Sequence, residues 1–104
     1  MIVTVVPRDA LDAAWSDARA LLEDAVKTQR HSYHITDVYE GVISGMYELW
    51  FVLDEDKPVA AFTTRIVRMP NCKTLSMDWV GGAKMSEWLP DALEILTRYA
   101  KDHN

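Results

Sequence analysis

Apolar positions change their spacing several times along the chain, and each change marks an element. Residues 2–6, IVTVV, are few and β-branched, which predicts a strand that Pro7 ends. From Leu11 the spacing lengthens. Leu11, Trp15, Ala18, Leu22 and Ala25 recur at steps of three or four, with Asp12, Ser16, Asp17, Arg19, Glu23 and Asp24 between them. This is the stripe of an amphipathic helix of about five turns. Asp9 stands where its cap belongs, and Asp12 lies in the first turn, where a carboxylate suits the helix dipole. TQRHSYHI, residues 28–35, breaks the stripe and reads as a loop. Asp37 and Glu40 are then spaced as a capping box for a short helix carrying Val38, Tyr39, Val42 and Ile43, which Gly45 stops.

Beyond Gly45 the period falls to two. In YELWFVL, residues 47–53, Tyr47, Leu49, Phe51 and Leu53 share one face and Glu48, Trp50 and Val52 the other. DEDK (54–57) is a charged turn, and residues 58–69 form a second strand that tolerates Pro58 at its start. After PNC, residues 73–80 alternate Leu75, Met77 and Trp79 against Thr74, Ser76, Asp78 and Val80. Three strands joined by short loops predict an antiparallel meander. Past Gly81 and Gly82, Ser86 caps a last helix with Pro90 in its first turn and Leu89, Leu93, Leu96 and Ala100 along one face, widened by Ala92 and Tyr99. The predicted fold is α+β in the order β-α-α-β-β-β-α, one domain over residues 1–104, with the meander packed by helices.

Composition narrows the function without naming it. The 104 residues, 49% hydrophobic and 26% charged, suffice for one small core. Four tryptophans and four tyrosines are generous for that length, so some are available for a ligand site or an interface. A net charge of −5 opposes binding to a phosphate backbone and argues against nucleic acid as a partner. Acidity suits a basic partner but is equally ordinary for a cytosolic protein. Cys72, the sole cysteine, precludes an internal disulfide and fits a reducing compartment. No signal peptide or membrane-spanning run is legible, so the expectation is a cytoplasmic protein without a membrane partner.

The stretch SMDWVGGAKMSEW, residues 76–88, is the main candidate for chemistry. A strand that runs through two glycines and a lysine into a helix either grips a phosphate or makes a tight turn, and the residues alone leave both open. Asp78, on the polar face with Thr74 and Ser76, is either a general base or a solvated acid. His31 and His34 are three apart in a loop with no third ligand nearby, so no metal is expected. Arg65 and Arg68 fall on opposite faces of their strand and form no single patch. Trp50 and Trp79 are candidates for one sheet face under a helix. Trp88 lies beside the last helix's stripe, where exposure would signal an interface. Cys72 has no base partner in sequence, and no Ser-His-Asp or P-loop spacing occurs.

The element order resembles the first two-thirds of the GNAT-type N-acetyltransferase superfamily. DVYEGVISGMYELWFVLDEDKPVAAFTTRIV looks like the second helix and first meander hairpin of short GNAT-like proteins encoded by tailed bacteriophages, and LSMDWVGGAKMSEWLPDALEILTRYAKDHN like their fourth strand and third helix. The resemblance implies that acetyl-coenzyme A lies against the fourth strand. Met77, Trp79 and Val80 would then face its pantetheine arm, and Gly81, Gly82, Ala83 and Lys84 its diphosphate. Asp78 would be the catalytic base, and Tyr33 with His34 would touch the acceptor amine. GGAKMS departs from the family's usual phosphate signature, a basic or amide residue followed by x-x-G-x-G or G-x-A. The family's fifth strand would follow residue 104, so the fold is expected to be incomplete and the fourth strand an exposed edge for a homodimer or a protein partner. Two functions follow: an acetyl-coenzyme A-dependent N-acetyltransferase, or a non-catalytic phage interaction protein on the same scaffold, either a virion component or an inhibitor of a host protein in the host cytoplasm.

Overall fold

The computed structural model describes residues 1–28 and 33–102. His31 and His103 lie outside the described residues. β1 is Ile2–Val5, α1 Leu11–Lys27, α2 Ile35–Ser44, β2 Glu48–Asp54, β3 Lys57–Arg68, β4 Lys73–Gly82 and α3 Met85–Asp102, with a 3-10 turn at Arg8–Ala10. The four strands form one antiparallel sheet in the order β1-β2-β3-β4. The expected α+β class and element order are present. Among the described residues no helix is long and apolar enough to cross a membrane.

Alternation along the strands sorts the core into two halves. Tyr47, Leu49, Phe51, Ala61 and Trp79 pack with Leu11, Ala18, Leu22 and Val26 of α1 and Val38 and Val42 of α2. Trp50, Val52, Ala60 and Phe62 pack with Trp88, Ala92 and Leu96 of α3. The sheet is thus the middle of three layers. Beneath α3, Phe62 lies between two indoles, stacked on Trp50 and on Trp88 at 5.7 Å each, while Tyr99 meets Trp50 edge-on. Both indole N–H groups are satisfied: Trp50 Nε1 donates to Thr64 Oγ1 at 2.9 Å and Trp88 Nε1 to the Ala83 carbonyl at 3.0 Å. A buried indole needs such a partner to avoid a desolvation penalty.

Several local expectations are corrected. Asp9 does not cap α1; Pro7 accepts from Ala10 N–H in the 3-10 turn, and α1 begins from Ala10 with no side-chain cap. α2 starts two residues before Asp37. Its N-cap is His34, and Asp37 is the residue that reaches back, accepting from His34 N–H at 2.8 Å. α3 opens at Met85 rather than after Ser86, which places Pro90 in the second turn. Trp88 is 1% exposed, because the buried stripe runs Trp88, Ala92, Leu96 and leaves Leu93 53% exposed, one position round from the expected face. Trp50 and Trp79 lie on opposite faces of the sheet.

Turns follow from backbone chemistry. Glu55 and Asp56 both have positive φ, the mirror-image hairpin turn that matches strand twist. Gly45 takes φ 88° and closes α2 by donating to Val42 O, and Tyr47 N–H donates to Gly41 O at 3.0 Å.

Candidate functional site

β4 is not the uninterrupted alternating strand that its sequence predicts. Thr63 pairs with Trp79 but Thr64 pairs with Met77, so Asp78 is an extra residue, a β-bulge. Because side chains alternate with period two, the bulge exchanges faces. Leu75, Met77 and Val80 all pack toward α3, while Trp79 packs toward α1. The expected grouping of Leu75, Met77 and Trp79 on one face is corrected for that reason.

On the α1 side the bulge borders a cleft of about 670 Å³ lined by Tyr33, Tyr47, Arg65, Asp78, Trp79 and Val80, with the C-terminal end of α1 opposite. Four residues singled out from the sequence therefore meet: Tyr33, Asp78, Trp79 and Val80. Tyr33 stands edge-on to the Trp79 ring at 5.2 Å. Trp79 is 8% exposed, and its buried Nε1 has no hydrogen-bond partner among the described residues. His34 is exposed at the start of α2 and is not among the residues that line the cleft. Met77 points to the other face, into an apolar groove of about 440 Å³ with Leu75, Leu93 and Leu96.

Asp78 is committed on both oxygens. Oδ2 accepts from Arg65 Nε at 2.8 Å and Oδ1 from Ser76 Oγ. Sequence reading missed Arg65 and Ser76 as Asp78's partners. Counting back from the Pro70–Asn71 turn pairs Arg65 with Ser76, but only the bulge brings Asp78 beside them.

The strand-to-helix junction is occupied by internal structure. Gly81 and Gly82 belong to β4, opposite Ala61 and Ala60. A Cβ on Gly81 would run into the backbone of Leu21, 2.8 Å from its carbonyl carbon. Gly82 has φ 115°, and a Cβ there would lie 2.5 Å from Ala60 Cα. Ala83 N–H donates to Val59 O at 2.9 Å. Lys84, itself at positive φ, pairs with Asp54 at 2.9 Å. That hydrogen bond and its charge hold Asp54 below its usual carboxylate range and raise Lys84 above the usual lysine range. Gly81, Gly82, Ala83 and Lys84 thus each have a structural role.

The inner and outer amides of β4 can be assigned from its ladder. Met69 and Cys72 exchange backbone hydrogen bonds across the β3–β4 turn, so Thr74 and Ser76 face β3 while Leu75 and Met77 turn their N–H groups outward. Ala83 bonded to Val59 sets the phase beyond the bulge, where Val80 and Gly82 turn outward. Among the described residues no further strand pairs with this side of β4. No group of three metal-ligating side chains comes together among them either. Compared with protein-family models, curated proteins and solved structures, the chain has no match in any of the three.

Proposed function

We propose that this chain is a GNAT-like scaffold that works by binding another protein rather than by catalysis, with the outer edge of β4 as its contact. The observation that carries this reading is the row of outward amides on Leu75, Met77, Val80 and Gly82 along a ten-residue boundary strand. Such an edge is a template for an added strand, in which main-chain hydrogen bonds supply affinity and flanking pockets supply specificity. Apolar side chains of Leu75 and Met77 beside that edge give an incoming strand a groove to fill. A second copy of the chain is the simplest partner, since two β4 edges complement one another. A virion component or an inhibitor of a host protein are the roles such a surface serves in the phage setting that the resemblance implies. Sedimentation velocity tests the contact. A dimer is expected at about 100 µM, and Leu75→Pro, which removes an outward N–H, converts it to monomer, whereas Leu75→Ala, which trims the same packed side chain but keeps the N–H, leaves it dimeric. A monomeric wild type, or a dimer indifferent to the proline, overturns the reading.

A second reading, acetyl-coenzyme A-dependent N-acetylation, is favoured by one observation: Tyr33, Asp78, Trp79 and Val80 share a cleft at a bulge on the boundary strand. Bulges are frequent beside active sites because they re-aim a side chain. In this reading Asp78, steadied by Arg65 and Ser76, accepts a hydrogen bond from the N–H of a neutral amine and so orients it, and Tyr33 and Trp79 wall the apolar part of the cleft. Calorimetric titration with acetyl-coenzyme A separates the two readings; absence of heat at about millimolar ligand removes the second.

A further inference from the structure

The far end of the β3–β4 hairpin carries a charge arrangement that neither reading above uses. Arg68 and Lys73 are direct cross-strand partners. The hydrogen bonds between Met69 and Cys72 make theirs a non-hydrogen-bonded pair, the kind in which facing side chains stand closest. Like charges placed so are destabilising. Four other described cations of this acidic chain are ion-paired, in Lys27–Asp24, Arg65–Asp78, Lys84–Asp54 and Arg98–Glu94. Among the described residues no carboxylate lies within ion-pair distance of Arg68 or Lys73. Both side chains line a cleft of about 610 Å³. Arg65 lines it too, Glu48 is the only acid that does among the described residues, and Ile66, Leu75 and Tyr99 give it apolar walls.

We propose that this cleft binds a small phosphomonoester with an apolar body, held by Arg68 and Lys73. A phosphate at neutral pH carries close to two negative charges and three acceptor oxygens, which matches two cations whose mutual repulsion it would relieve. Arg68 brings a planar fork suited to paired phosphate oxygens, and Lys73 a mobile point charge. The cleft's volume lies within the usual range for small-molecule sites, and Ile66, Leu75 and Tyr99 offer the ligand's body a surface that a bare inorganic ion would not use.

Phenyl phosphate is the probe, titrated at low salt while the methyl resonances of Ile66 and Leu75 are followed by NMR. Saturable shifts at both methyls are expected, with affinity falling about tenfold or more in Arg68→Gln and in Lys73→Gln. Benzoate, with the ring but one charge, is expected to bind more weakly. Both substituted side chains project from an exposed hairpin end, so the fold survives; with the repulsion removed, neither variant's ligand-free melting temperature should fall. No saturation by about 10 mM phenyl phosphate, shifts confined to other residues, or undiminished binding by both variants overturns the proposal.

Discussion

Gly81 of β4 rests directly on the backbone of Leu21 in α1, so closely that any side chain at residue 81 would overlap the Leu21 carbonyl. The contact joins the boundary strand to the helix that covers it, and it explains a glycine that otherwise reads as a ligand-binding residue. Gly81→Ala must push α1 away or bend β4. Its cost is expected at about 1–3 kcal/mol, the usual range for overpacking a core. Urea unfolding measures it, and a variant as stable as the wild type would show that α1 does not sit where the contact requires.

Trp79 and Trp88 are both buried but differ in one hydrogen bond. Trp88 Nε1 donates to the Ala83 carbonyl, whereas Trp79 Nε1 has no partner among the described residues. Phenylalanine at residue 88 leaves a carbonyl without its donor, while phenylalanine at residue 79 removes an N–H that is already unsatisfied. Trp88→Phe is therefore expected to be more destabilising than Trp79→Phe by about 1 kcal/mol or more. Equal losses in denaturant titrations would contradict the assignment.

The Asp54–Lys84 pair makes a pH signature. Asp54 is held below its ordinary value of 3.8, by the hydrogen bond from Lys84 first and its charge second. Its contribution to stability is therefore present above that ordinary value and fades as pH falls through the lowered one. Lys84 is raised above 10.5 by the same partner, so its share is present below that value and is lost as pH rises through the raised one. Asp54→Asn should narrow its stability difference from the wild type on acidification below about pH 4, and Lys84→Met should do so on the alkaline side. Thermal melts across pH test both, and a difference that persists in acid would refute the first.

Arg65 and Asp78 should couple weakly but measurably. Their side chains are 44% and 20% exposed, so solvent screens the attraction. A double-mutant cycle with Arg65→Met and Asp78→Asn is expected to give a coupling of about 0.2–1 kcal/mol that shrinks as salt is added. Coupling that is absent at low salt would mean the two do not meet in solution.

The strands and helices were legible wherever a period ran unbroken. Tyr47, Leu49 and Phe51 against Trp50 and Val52 sort onto the two sheet faces as the alternation of β2 predicts. The candidate site was harder to read, because one extra residue decides it. An inserted Asp78 leaves no mark in an alternating pattern, yet it moves Trp79 to the other face and sets Asp78 against Arg65. The glycine pair is ambiguous in sequence for a related reason. Close approach to α1 and a positive φ at the strand's end call for the same residue type as a phosphate turn, and only the position of Leu21 and Ala60 distinguishes them. Trp88 was displaced by a single step of the helical wheel, which the neighbouring Leu89 and Leu93 made equally plausible from composition alone.

The insertion in β4 also governs what can attach alongside it. Outward donors at Leu75 and Met77 are two residues apart, but the next, Val80, comes three further on. A regular guest strand stays in step with one segment of the rim and loses step at the other. Full-length zippering thus demands a guest with its own matching irregularity, and a generic sticky strand gains only a short foothold. The same dislocation that shapes the cleft acts as a filter against indiscriminate polymerisation.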